Sequence, residues 1–121
     1  NVPSASMAAQ VDLCGIETGA AINKAARCGF EVFHGTLAHA PLISQCPVNI
    51  ECTVEFTMDL GSHTLVLGRI VETHLSEECL DADGMPDFRR IDPIAYLPSP
   101  ARKYARIGEV VADAYSAGRT I

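Results

Sequence analysis

The feature that most constrains this chain is an alternation that runs from Val48 to Leu60. Val48, Ile50, Cys52, Val54, Phe56, Met58 and Leu60 take every second position, with Asn49, Glu51, Thr53, Glu55, Thr57 and Asp59 between them. Successive side chains on a strand point to opposite faces. The pattern therefore predicts one long strand with its apolar face buried and its polar face in solvent. Gly61-Ser62 then supplies a hairpin turn. From His63 to Leu75 the chain is apolar on both faces in its first half, which predicts a central strand. A long antiparallel hairpin is the expected framework.

The flanks read differently. Ser4 or Ser6 can cap a helix through Met7, Ala8, Val11 and Leu13 that stops at Gly15. Thr18 can cap a second helix, Gly19 to Cys28, with Gly29 in the C-terminal stop position. Phe30, Val32 and Leu37 flank a turn at His34-Gly35, and Pro41 then interrupts the pattern. Residues 76–100 are rich in turn formers, with a helical turn expected near Asp87 to Ile91, and the tail from Tyr104 to Ala117 has mixed periodicity. Helices followed by antiparallel strands predict an α+β, mainly β domain or a small barrel.

At 121 residues the chain is expected to be a single domain, residues 1–121. Hydrophobic residues make up 48% and charged residues 20%, an ordinary globular balance that argues against disorder. Nine basic against fifteen acidic residues give a net charge of −6, so there is no broad positive field for nucleic acid. No apolar run approaches the ~20 residues of a membrane span, and no secretory signal core is present. Five cysteines, an odd number without a framework spacing, point to reduced thiols and a cytoplasmic setting.

Several constellations carry a chemical and a structural reading side by side. Cys46 and Cys52 lie six positions apart, roughly 20 Å on an extended strand. Together with the unpatterned His34, His39, His63 and His74, they predict no metal site. Asp81, Asp83 and Gly84 lack the spacing of a calcium loop and read as a tight turn. Thr18-Gly19 can open a helix whose free N–H groups hold a phosphate, with Lys24 as counter-charge, or simply cap a helix bearing a solvated lysine. His63 can project from the hairpin turn into a cleft or lie on the surface.

Taken together, these segments resemble the flavin reductase-like family of FMN-binding split barrels. Asn1-Val2-Pro3-Ser4, Asp12-Leu13-Cys14-Gly15 with Thr18-Gly19 and Asn23-Lys24, and Ala40-Pro41-Leu42-Ile43 are similar to family segments. So are Cys46-Pro47-Val48-Asn49 with Glu51-Cys52, Leu60-Gly61-Ser62-His63 with Leu65 and Gly68, and Asp92-Pro93 with Tyr96, Tyr104 and Gly108. The resemblance implies a split β-barrel with short helices that binds FMN without a covalent bond, commonly as a homodimer with flavin near the interface. Family members carry a further first segment, so the chain is expected to be the C-terminal two-thirds of such a domain, without its N-terminal strands.

Carried over by position, the resemblance implies that Thr18, Gly19 and Lys24 lie at the FMN phosphate. It places Asn1, Cys14 and Gly15 near the flavin, and Pro41, Leu42 and Ile43 as an apolar wall. His63 falls where a nicotinamide stacks. The family's serine is Thr18 here, its aspartate before the lysine is Asn23, an aromatic after the lysine is Ala25, and an arginine is Ala20. The implied function is an oxidoreductase that moves electrons from NAD(P)H through FMN to a flavin or other acceptor. The alternatives are a flavoredoxin-like carrier reduced by an electron-donor protein, and a non-enzymatic split-barrel remnant that binds no flavin.

Overall fold

The computed structural model describes residues 1–120. The chain enters as an extended segment tied to distant strands, with Val2 bridged to Val48 and Ser4 to Pro93. A single 3-10 turn, Ala5–Met7, leads into helix α1, Ala8–Ile16. Neither serine caps it: the Ser4 and Ser6 hydroxyls bond to each other at 2.7 Å. The helix also runs past Gly15 before Glu17 turns extended.

The second helix is shorter than the sequence predicts. Thr18 caps no helix; its carbonyl and hydroxyl hold a turn through the amides of Ala20, Ala21 and Ile22. Helix α2, Lys24–Cys28, begins instead at Asn23, whose side chain accepts from the Ala26 amide at 3.0 Å. Both residues are good caps, but Gly19 costs a helix about 1 kcal/mol against alanine, so the helix opens at the second one. Gly29 ends α2 in the left-handed conformation, φ 68°, as its position predicts.

Three two-stranded antiparallel ladders follow. Strand β1, Val32–His34, pairs with β2, Pro41–Ile43, so Pro41 opens a strand where its missing N–H is harmless. Strands β3, Val48–Asp59, and β4, Thr64–Leu75, form the long hairpin, with bulges after Glu51 and Val54. At its tip Gly61 has φ 84° and donates its amide to Asp59 Oδ1 at 2.8 Å. A four-residue helix α3, Phe88–Ile91, falls where a helical turn is expected. The untyped tail contains β6, Lys103–Arg106, paired with β5, Ile94–Leu97. Tyr96 and Tyr104 face each other there with ring centroids 5.5 Å apart, and Tyr104 Oη donates to Asp12 of α1.

The hairpin corrects the reading of its faces. Asn49 and Glu51, on the polar alternation, are 4% and 0% exposed. Val54, Phe56, Met58 and Leu60, on the apolar alternation, are open to solvent, and so are Leu65, Val66, Leu67, Ile70 and Val71 of β4. Among the described residues β4 pairs with β3 alone and is not central. The reason is local. The segment after β2 is irregular, and its backbone polar groups must find partners away from water. Asn49 supplies them: its amide donates to Ile43 O at 3.2 Å and Cys46 O at 3.1 Å, and its oxygen accepts from Ile43 N. Met7, Leu42, Cys46 and Cys79 are the buried apolar side chains around this point.

Asn49→Ala leaves the Cys46 carbonyl without its side-chain partner and both backbone groups of Ile43 with one fewer. It should cost about 1–3 kcal/mol. Urea unfolding reads this as a lower midpoint at an unchanged slope.

Candidate functional site

The residues singled out near the chain start converge on β2. Asn1 Oδ1 accepts from Ile43 N at 2.9 Å, and Asn1 Nδ2 donates to Pro41 O at 3.3 Å. This two-point grip fixes the strand's edge. On the same side Asn1, Cys14 and Ile43 line an apolar cavity of about 240 Å³, together with Pro3, Met7, Val11, Phe30 and Cys46. None of the last five is among the flavin-site residues that the resemblance implies, and Cys46 is weighed only as a metal ligand. They come from four separate segments, and only the fold makes them neighbours.

Lys24 stands at the edge of this cluster. Its ammonium donates to the Cys14 carbonyl at 2.6 Å, at the C-terminal end of α1, where a cation also complements the helix dipole. An ammonium carries three donors, so two remain for other partners. Thr18 and Gly19 lie in the exposed turn that precedes it. Gly15 sits within α1, exposed.

Other candidates are placed elsewhere. Leu42 points the opposite way from its strand neighbours, is 2% exposed, and packs in the core. His63 is exposed at the hairpin tip, with Nδ1 2.9 Å from Ser62 Oγ, at the ladder's far end from Val48 and hence from Asn1. Within this chain His63 is not brought to the cavity. The strand starts at Val48, so Cys46 is not on it, and it is buried while Cys52 is exposed. Asp81 closes a tight turn as expected, accepting from Asp83 N and Met85 N at 2.9 Å each. Among the described residues, no three His, Cys, Asp or Glu side chains are grouped to hold a metal ion, and no helix is long and apolar enough to cross a membrane.

A buried polar constellation escaped the sequence reading. The Glu51 carboxylate accepts from Leu37 N at 2.6 Å, Thr36 N at 3.0 Å and His74 Nε2 at 2.6 Å. An ionised carboxylate only accepts, so Nε2 carries the proton in this contact. The His74 hydrogen bond, with those of the two amides, holds the Glu51 carboxyl below its ordinary value despite its burial. The signal was present in principle, since His74 stands opposite Asn49 in the ladder. Nothing in the alternation marks that face as buried.

With this geometry established, comparison with known proteins decides the family. The family model described as "Flavin reductase like domain" matches residues 1–100. The chain belongs to the flavin reductase-like family.

An uncharacterized protein of Archaeoglobus fulgidus is 30% identical over 87 residues, 72% of this chain and 48% of that protein. Flavoredoxin of Desulfovibrio vulgaris (Miyazaki F) superposes with a TM-score of 0.88 at 32% identity, covering 98% of this chain and 62% of that one. Flavoredoxin from Methanosarcina acetivorans gives 0.89 at 32% identity, covering 99% and 62%. This flavin reductase-like chain thus spans about half the length of the curated relatives it matches and 62% of the flavoredoxins. Its fold is that of the flavin reductase-like split barrels, mostly β with short helices.

The Glu51 pair gives this family member a defined acid sensitivity. Because the folded-state pKa of Glu51 is depressed, its contribution to stability is complete above the ordinary carboxyl value of 4.5. That contribution is lost as pH falls through the depressed value. Glu51→Gln should therefore lower the thermal midpoint by more than about 5 °C at pH 7. The gap from wild type should narrow as pH falls from the ordinary carboxyl value of 4.5 through the depressed one. Thermal unfolding of both proteins across pH checks this.

Proposed function

We propose that this chain forms the FMN-binding part of an oxidoreductase of the flavin reductase type, which moves electrons from NAD(P)H to a flavin or another acceptor. The observation that carries the reading is the convergence of Asn1, Cys14 and Ile43 on one apolar cavity, with the Lys24 ammonium anchored on the Cys14 carbonyl. FMN needs an apolar slot for a flat ring and donors with positive charge for a dianion. The residues present fit both needs. At about 240 Å³ the cavity is smaller than the roughly 300–1,000 Å³ of a complete ligand pocket, so this chain supplies one wall of the ring site.

In this reading Asn1 holds the Pro41–Ile43 edge in place while Ile43 and Cys14 face the ring. Lys24 offers its two remaining N–H groups to the phosphate. Thr18, whose hydroxyl already accepts from Ala20 N, can still donate its own proton, and Gly19 leaves the backbone open beside it. Bound FMN supplies the two-electron chemistry, so no acid–base pair among the side chains is required. His63, exposed at the hairpin tip with Nδ1 engaged by Ser62 Oγ, is assigned to the nicotinamide side of a site completed by a second copy. The open apolar faces of β3 and β4 favour such a homodimer, since exposed apolar patches of this kind mark association surfaces. Residues 1–121 act as one part of a single domain, in the cytoplasm.

The similarity to two flavoredoxins favours a second reading, an electron carrier reduced by a donor protein. Turnover separates the two. In the natural protein that carries this sequence, flavin absorption bands with steady NADH or NADPH oxidation support the reductase. Flavin bands with almost no nicotinamide turnover support the carrier. A protein that takes up no added FMN overturns both.

Lys24→Ala should weaken FMN binding by about 1–3 kcal/mol, or roughly 5- to 150-fold in Kd, the scale of a charge-assisted hydrogen bond. Titration of the apoprotein with FMN measures it. Unchanged affinity would leave Lys24 only its role at the end of α1.

A further inference from the structure

Helices α1 and α2 bring two thiols together. Cys14 Sγ and Cys28 Sγ are 4.0 Å apart, and Cys28 Sγ also lies 3.9 Å from the Gln10 carbonyl. Gln10 and Cys14 are four residues apart and so share one face of α1. Cys28 is the last residue of α2, next to Gly29, whose φ of 68° ends the helix. Both thiols are half-buried. Cys46 and Cys79 are buried and Cys52 is exposed, and among the described residues none of these three contacts another thiol.

We propose that Cys14 and Cys28 form a redox-active dithiol that exchanges with low-molecular-weight disulfides and closes to an internal disulfide. The two sulfurs already face each other, and bonding requires them to approach from 4.0 Å to about 2 Å. Side-chain rotation of Cys28, the last residue of α2 before its glycine cap, can supply much of that. The thiolate of one cysteine attacks the small disulfide; its S–S bond breaks and one thiolate leaves and takes up a proton. The second cysteine then gives up its proton and attacks the mixed disulfide. The internal S–S bond forms and the second small thiol leaves. The pair loses two electrons and two protons, and the small disulfide gains both. Because the second thiol is already in place, the mixed disulfide resolves within the molecule.

The surroundings set the pace of the exchange. Burial pushes the Cys28 thiol up, and hydrogen bonding with Cys14 adds to this, while the Lys24 ammonium pulls it partly back. Cys28 therefore rests as a neutral thiol at neutral pH, which slows its own attack on a disulfide. The dithiol also touches the site described above, since Cys14 lines the apolar cavity and its carbonyl holds Lys24. That link depends on the flavin reading; the disulfide does not.

The test is to equilibrate the natural protein with glutathione and glutathione disulfide over a range of ratios. Remaining thiols are then alkylated in denaturant, so that the buried Cys46 and Cys79 also react, and intact mass and peptide maps are read. The expected result is that two of the five cysteines in this sequence resist alkylation, map to a Cys14–Cys28 link, and return on addition of excess dithiol. Cys28→Ser should form no internal disulfide and should retain glutathione on Cys14. Should that variant fail to fold, the wild-type peptide map decides alone. Five alkylatable cysteines under oxidising ratios, glutathione persisting on Cys14 or Cys28 of the wild type, or a link mapped to another pair would each overturn the proposal. None of these readouts depends on flavin, so failure here is distinct from failure of the proposed function.

Discussion

The candidate site depends on one buried carboxylate. Glu51 sits with no exposed surface beneath the stretch that joins β1 to β2, and it holds that stretch through Thr36 N and Leu37 N. A charge so placed is tolerable only because three donors converge on it. Gly35 makes the approach possible: a Cβ there would lie 2.7 Å from His74 Nε2 and 2.9 Å from Glu51 Cδ. The consequence runs outward. With the stretch pinned, β2 can pair with β1; with β2 fixed, Ile43 meets Asn1 and Asn49, and the apolar cavity acquires its wall.

The same residues explain which parts of the fold were legible. Alternation from Val48 to Leu60 located the strand, and Gly61-Ser62 its turn, because both signals are local: pleat in one case, positive φ in the other. Which face is buried is not a local property. It depends on what packs against the strand, and here an irregular segment with unpaired amides packs on Asn49 and Glu51. The competition between Thr18 and Asn23 is of the same kind. Either residue can cap a helix, and only the cost of the glycine between them and the fit of Asn23 to the Ala26 amide select the second.

The site was legible to the extent that its pieces are sequence motifs. Asn1, Cys14, Ile43 and Lys24 were named from family-like segments, and the fold gathers them within one cluster. Met7, Val11 and Phe30 carry no such mark, being ordinary apolar residues until their segments meet. The cysteines show the limit most plainly. An odd number without a framework spacing argues for reduced thiols, and on composition alone that inference is sound. Yet Cys14 and Cys28 are brought together by two helices whose crossing no spacing rule encodes.

The long hairpin is the element least able to stand alone. Two strands by themselves are marginal in water, and both faces of this pair carry apolar side chains, from Val54 and Phe56 to Leu67 and Ile70. Bulges after Glu51 and Val54 twist the ladder and so limit open-ended pairing along its edges. They do nothing to cover the faces. A net charge of −6 keeps such a surface soluble but supplies no burial. Among the described residues, the hairpin's apolar faces are therefore its least covered part, and the hydrogen-bonded end near Glu51 its best anchored.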